Sequence, residues 1–296
     1  FSLLLVAVSF AADDDPVFCW RIDGGKGTAY LLGTVHLGTP DMLPLAPSIE
    51  KAFDASDKLV VEVDMTKLDP QEIQKKLMYP PLDALSNHIS TNAYDEVLAF
   101  FAPYGITEEK IQRMKPSMVV SLMMALKMQE MGLDPNFGID MYLMNKVDGK
   151  PIVELETFDD QLALLEQLGN EYLIYTLEET EKLEEQMKPL LAMWKSGDAD
   201  GMADMFADMV EEQPEAEDFF ETFFIDRNRE MAKKIHAMLT APGTIFVAVG
   251  AGHVGGKDGI IDLLDEKYTI TQLTVGADTA AAEMVPAGKA MVPAAE

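Results

Sequence analysis

The chain has 296 residues with 48% hydrophobic content, enough for one large core and long enough for two domains. Its 51 acidic residues stand against 23 basic ones, a formal net charge of −28, and that field repels the phosphates of nucleic acid and the anionic face of a membrane. A general nucleic-acid binder is excluded, and the same charge suits a saline medium, where screening shortens self-repulsion.

Residues 1–12 form an apolar run that is too short to span a bilayer and stops at Asp13-Asp14-Asp15. With the small residues Ser9 and Ala11 near its end, it reads as the apolar region of a secretory signal, with a mature start near Ala12 and a periplasmic or secreted location. No later segment reaches the roughly 18 consecutive apolar residues of a membrane-spanning helix, so no span is expected in the mature protein. Cys19 is the single cysteine, which permits neither an internal disulfide nor a thiolate cluster, and it reads as a small hydrophobe opening a strand.

Residues 18–22 and 28–32 are short apolar runs joined by Asp23-Gly24-Gly25-Lys26-Gly27, a β-hairpin pattern. Runs rich in Val and Ile at 58–63, 151–155 and 243–249 predict strands buried on both faces, and a last strand is expected over 268–275 after a helix at 259–266. The long intervals 69–147 and 158–239 carry apolar residues at helical spacing, such as Leu162, Leu165, Leu168, Leu173 and Leu177. Prolines and glycines divide them into several helices. The expected fold is α/β, with a largely parallel central sheet, an N-terminal hairpin and large helical insertions over residues 13–276. Met114, Met118, Met124, Met128 and Met131 fall near one helical face without interleaved His or Cys, which favours gap-filling over copper binding. Residues 277–296 form an alanine-rich tail with little to bury, expected to be disordered.

Two of the four histidines follow hydrophobic strands on glycine-flanked turns: His36 in Gly33-Thr34-Val35-His36 and His253 in Gly250-Ala251-Gly252-His253. The carboxyl ends of parallel strands line a ligand crevice, so both imidazoles are expected to converge there. Glu62 stands at the end of one strand, and Glu154 and Glu156 flank the end of another. A charge at a buried strand end needs a partner or a metal. Two imidazoles with one or two carboxylates suit a divalent transition metal that activates water, or a metal-free His/Glu acid–base pair. His88 and His236 lack such neighbours and read as surface residues.

The segments 30–38, 59–64, Gly138-Ile139-Asp140, 150–157, 226–232 and 247–256 together resemble the TraB/GumN family in order and spacing, over roughly residues 18–275. That family is related to the Tiki metal-dependent proteases and to the fold shared by erythromycin esterases and ChaN-like haem-binding proteins. The resemblance implies a shared site in which His36 and His253 are the paired histidines, Glu62 and Glu156 the acidic residues, and Arg227 and Asn228 the family's Arg-Asn pair. Chemically, Arg227 suits either balancing buried carboxylates or stabilising an oxyanion.

The expectation is an exported metal-dependent hydrolase of peptide or amide bonds, acting on a peptide or small-molecule substrate. His36, His253, Glu62 and Glu156 would hold Mn, Co or Zn. The alternatives are a non-catalytic binder of peptide, haem or metal, and a metal-independent esterase using the same crevice.

Overall fold

The computed structural model describes residues 12–277 apart from 168, 181 and 213–216. The leader-like run up to residue 11 and the tail from residue 278 lie outside the described residues. Six strands form one mixed sheet: β1 (Pro16–Asp23), β2 (Thr28–Thr34), β3 (Lys58–Val61), β4 (Ile152–Glu154), β5 (Thr244–Gly250) and β6 (Thr269–Thr274). Their order is β4-β3-β5-β2-β1-β6. β2, β5, β3 and β4 run parallel, while β1 is antiparallel to β2 and to β6. The fold is α/β, and the hairpin at its start closes the antiparallel side.

The central strands are apolar because both faces are covered. Leu31, Leu32, Leu59, Val60, Phe246, Val247 and Val249 are buried beneath helices on either side. β4 departs from this pattern: it is short, partly exposed along its length, and pairs with β3 alone. A continuous Val-Ile run at an edge strand looks the same in sequence as a buried one.

The helix Asp226–Leu239 shows how the sequence chooses a face. Asn228, Met231, Ala232, Ile235 and Leu239 are its buried residues, a stripe at steps of three and four that turns toward the sheet. A polar residue, Asn228, therefore occupies a core-facing position and must find partners there. A second cluster, including Leu85, Val97, Phe101, Val119, Met123 and Leu173, forms within the helical insertions. Met114 and Met123 are buried in that cluster, with Met118 and Met124 packed against it, as gap-filling thioethers. Among the described residues no helix is long and apolar enough to cross a membrane.

Candidate functional site

The site lies at the carboxyl ends of the parallel strands, where the ladders set its geometry. Thr34 is level with Gly250, and Val61 is level with both Ala248 and Glu154. The chain therefore leaves β2, β5, β3 and β4 side by side, and His36, His253, Glu62 and Glu156 follow within three residues of those ends.

Arg227 ties the two glutamates together. Its Nε donates to Glu156 Oε1 at 2.8 Å, and one terminal nitrogen donates to Glu156 Oε2 at 2.6 Å and to Glu62 Oε2 at 2.8 Å. The other donates to the Phe223 carbonyl at 3.1 Å. Gln161 Nε2 donates to the same two carboxylates at 2.8 and 3.0 Å, and the Gly250 N–H donates to Glu62 Oε1 at 2.7 Å. Burial alone would raise the Glu62 carboxyl, but the neighbouring His253 and Arg227 and the Gly250 N–H hold it below the usual range. Three of the guanidinium's N–H contacts thus go to carboxylates, and Arg227 balances their charge. Glu154 stands apart: it accepts from the Asp64 N–H at 2.9 Å and lies 4.0 Å from Lys67.

Each histidine has its Nδ1 anchored. Asn228 Nδ2 donates to the Asp258 carbonyl at 2.9 Å, which turns Oδ1 toward the ring of His253. His253 Nδ1 therefore carries the proton and donates to Oδ1 at 2.6 Å. Its Nε2 keeps a lone pair, 3.9 Å from Glu62 Oε1. Burial presses the His253 imidazole down to about 4, against the pull of Glu62, so the ring is neutral at neutral pH.

His36 is the opposite case. Its Nδ1 donates to Asp140 Oδ2 at 2.9 Å, and Thr34 Oγ donates to Asp140 Oδ1 at 2.6 Å. The Asp140 charge raises His36 to about 9, with Glu62 adding to the rise. Its side chain is 73% exposed, so water screens the pair, yet the direction is set: at neutral pH His36 favours the imidazolium. Burial would raise the Asp140 carboxyl, but His36 and Thr34 keep it low.

Close backbone approach explains two of the glycines. A Cβ on Gly252 would sit 2.8 Å from Phe224 Cε1, and one on Gly138 would collide with the His36 carbonyl. A π-helical turn, Glu221–Ile225, immediately precedes the helix that carries Arg227, the kind of helix irregularity that collects at functional sites.

All six predicted site residues come to this end of the sheet. Reasoning on the residues passed over Thr34, Asp140, Gln161 and Phe224. Asp140 had a signal, since it closes the Gly138-Ile139-Asp140 motif, whereas Gln161 is one polar residue of an ordinary amphipathic helix. His88 is bonded to Asp83 at 2.8 Å and stacks on Tyr79. His236 is half-buried against Tyr268, bonded at 2.7 Å, rather than free on the surface.

Comparison with known proteins agrees with this arrangement of motifs. The chain is 25% identical over 245 residues to an uncharacterized protein named YbaP from Shigella flexneri, an alignment covering 81% of this chain and 89% of that protein. The YbaP of Escherichia coli strain K12 gives the same identity and coverage. An uncharacterized protein of Treponema pallidum is 21% identical over 267 residues, covering 84% of this chain and 80% of its own. No solved structure matches. The profile of the TraB/PrgY/gumN family matches residues 18–272, most of the chain and every site residue named above, and the chain belongs to that family.

Proposed function

We propose that this protein is an exported hydrolase of peptide or amide bonds. The observation that supports it is the contrast between two anchored histidines, buried His253 on Asn228 and exposed His36 on Asp140, beside one Arg227-bound carboxylate pair; their titration points are pushed in opposite directions. Environments that push two titratable groups apart mark an acid and a base. His253 Nε2 takes a proton from water as the water oxygen attacks the carbonyl carbon, and Glu62 stabilises the imidazolium that forms. The His36 imidazolium gives its proton to the leaving nitrogen as the C–N bond breaks. Exchange with solvent then resets both rings. Arg227 and Gln161 hold the carboxylates in place, and Asn228 and Asp140 fix the ring tautomers.

A divalent ion is the second reading. As they stand, the donors do not form a finished cage: among the described residues no three His, Cys, Asp or Glu side chains are grouped to hold an ion. Both Glu156 oxygens are taken by Arg227. What favours an ion is charge and the anchoring of the two rings. Glu62, Glu156 and Asp140 against the Arg227 guanidinium and the His36 imidazolium leave one negative charge, and anchored Nδ1 atoms are the usual support of metal-bound imidazoles. Mn, Co or Zn would use His36, His253 and Glu62 and would supply an activated water.

The test is hydrolysis of a peptide mixture across pH, with and without chelator. The acid–base reading expects turnover that survives chelation, with limbs near pH 4 and 9. Activity lost to chelator and restored by Mn, Co or Zn selects the metal reading. Saturable peptide or haem binding without any turnover would overturn both and leave a binding protein.

A further inference from the structure

Phe18, Phe53, Phe101 and Phe246 are fully buried. Five of the partly buried phenylalanines lie close to the site. Phe206, Phe219, Phe220, Phe223 and Phe224 are each only half-buried, yet they are held in a defined array. Phe219 stacks on Phe223 at 4.4 Å and Phe220 on Phe224 at 5.0 Å, while Phe206 lies 5.5 Å from Phe224. Phe224 in turn meets the His253 ring at 5.4 Å, so that row ends on the proposed base, while Phe219 stacks on Tyr172 at 5.7 Å. Phe223 and Phe224 belong to the π-helical turn that leads into the helix of Arg227, which fixes both rows relative to the carboxylates.

The solvent-facing parts of these half-buried rings are apolar surface that association can cover. The run of Phe206, Phe220 and Phe224 onto His253 points to the occupant. Resting on the hydrolase reading, we propose that this ladder is a substrate subsite that accepts an aromatic side chain next to the bond being cut. Ring faces recognise another ring by offset or edge contacts, a preference an aliphatic side chain cannot satisfy fully.

Two measurements test it. The first is calorimetric binding of N-acetyl-phenylalanine amide against N-acetyl-alanine amide. The second is the ratio of kcat/KM for two peptides differing only in Phe or Ala at one position. The ladder predicts a preference of about tenfold for the aromatic probe in both. Phe219→Ala and Phe220→Ala, which do not touch His253, should reduce that ratio to about twofold, by lowering kcat/KM for the Phe peptide more than for the Ala peptide. Phe220→Leu keeps apolar packing, so a fall in ratio at unchanged melting temperature separates recognition from stability. Equal treatment of both probes, with hydrolysis intact, overturns the subsite and spares the hydrolase. Preferential binding of the aromatic amide without turnover does the reverse.

Discussion

At the scale of single residues, the two histidines should shape stability against pH in opposite ways. His253 has a folded value near 4, below the ordinary 6.5, so between those values the unfolded chain binds the extra proton. Its contribution is complete above pH 6.5 and is lost as pH falls toward 4, amounting to about 3 kcal/mol for a ring so deeply buried. His36, raised to about 9, contributes fully below pH 6.5 and loses its share as pH climbs through 9. That share is smaller, because solvent reaches the ring. Urea midpoints should therefore peak near pH 6.5, and His253→Gln should flatten the acid side only. Asn228→Asp replaces a neutral acceptor by a carboxylate at His253 Nδ1. The His253 value should rise by about one to two units, read directly by imidazole NMR titration, and the acid limb of any activity should move up with it. An unchanged titration in that variant would mean that the Asn228 contact does not govern the ring.

Among elements, the strand-end turns carry the tightest constraints. Gly138 closes against the His36 carbonyl, so Gly138→Ala must push the His36 turn or the start of the helix Ile139–Lys146 aside. A loss of about 1–3 kcal/mol is expected, together with weakening of the His36–Asp140 bond, seen as a fall in the His36 titration point. Gly105 has a positive φ of 67° and open space around it, so Gly105→Ala should cost only about 1 kcal/mol of backbone strain and leave His36 untouched.

The same elements show what sequence can reveal. Strands β2, β3 and β5 were legible because buried parallel strands leave continuous apolar runs, and glycine-flanked turns after them marked where His36 and His253 would sit. Strand order was not legible, since pairing of β2 with β5 depends on contacts between distant segments. Nor was the grip of Arg227 on both glutamates, because a charged residue on the first turn of a helix looks the same whether it meets solvent or carboxylate. Asn228 was readable only through the resemblance, its polar side chain being an exception within an apolar stripe.

For the whole molecule, a net charge of −28 means that folding compresses like charges. Most ion pairs are exposed ones, such as Lys188–Glu184 and Lys195–Asp41, and each contributes little. Screening should then relieve more repulsion than it removes attraction. Melting temperature should rise between 0.05 and 1 M NaCl, measured by calorimetry at pH 7; a fall would show that the ion pairs outweigh the repulsion.

The ladder between β2 and β5 has a consequence in time. It pairs Thr28 with Thr244 and Thr34 with Gly250, residues more than two hundred positions apart, and it is the seam across which His36 and His253 meet. A ribosome must have made both flanking segments before that seam can close, and closing so long a loop is slow compared with forming the helices between. Until then the nascent protein has no central sheet and no assembled site. The helices and the separate β1–β2 and β3–β4 pairs can therefore form ahead of this seam, and the site's chemistry waits for β5 to join them.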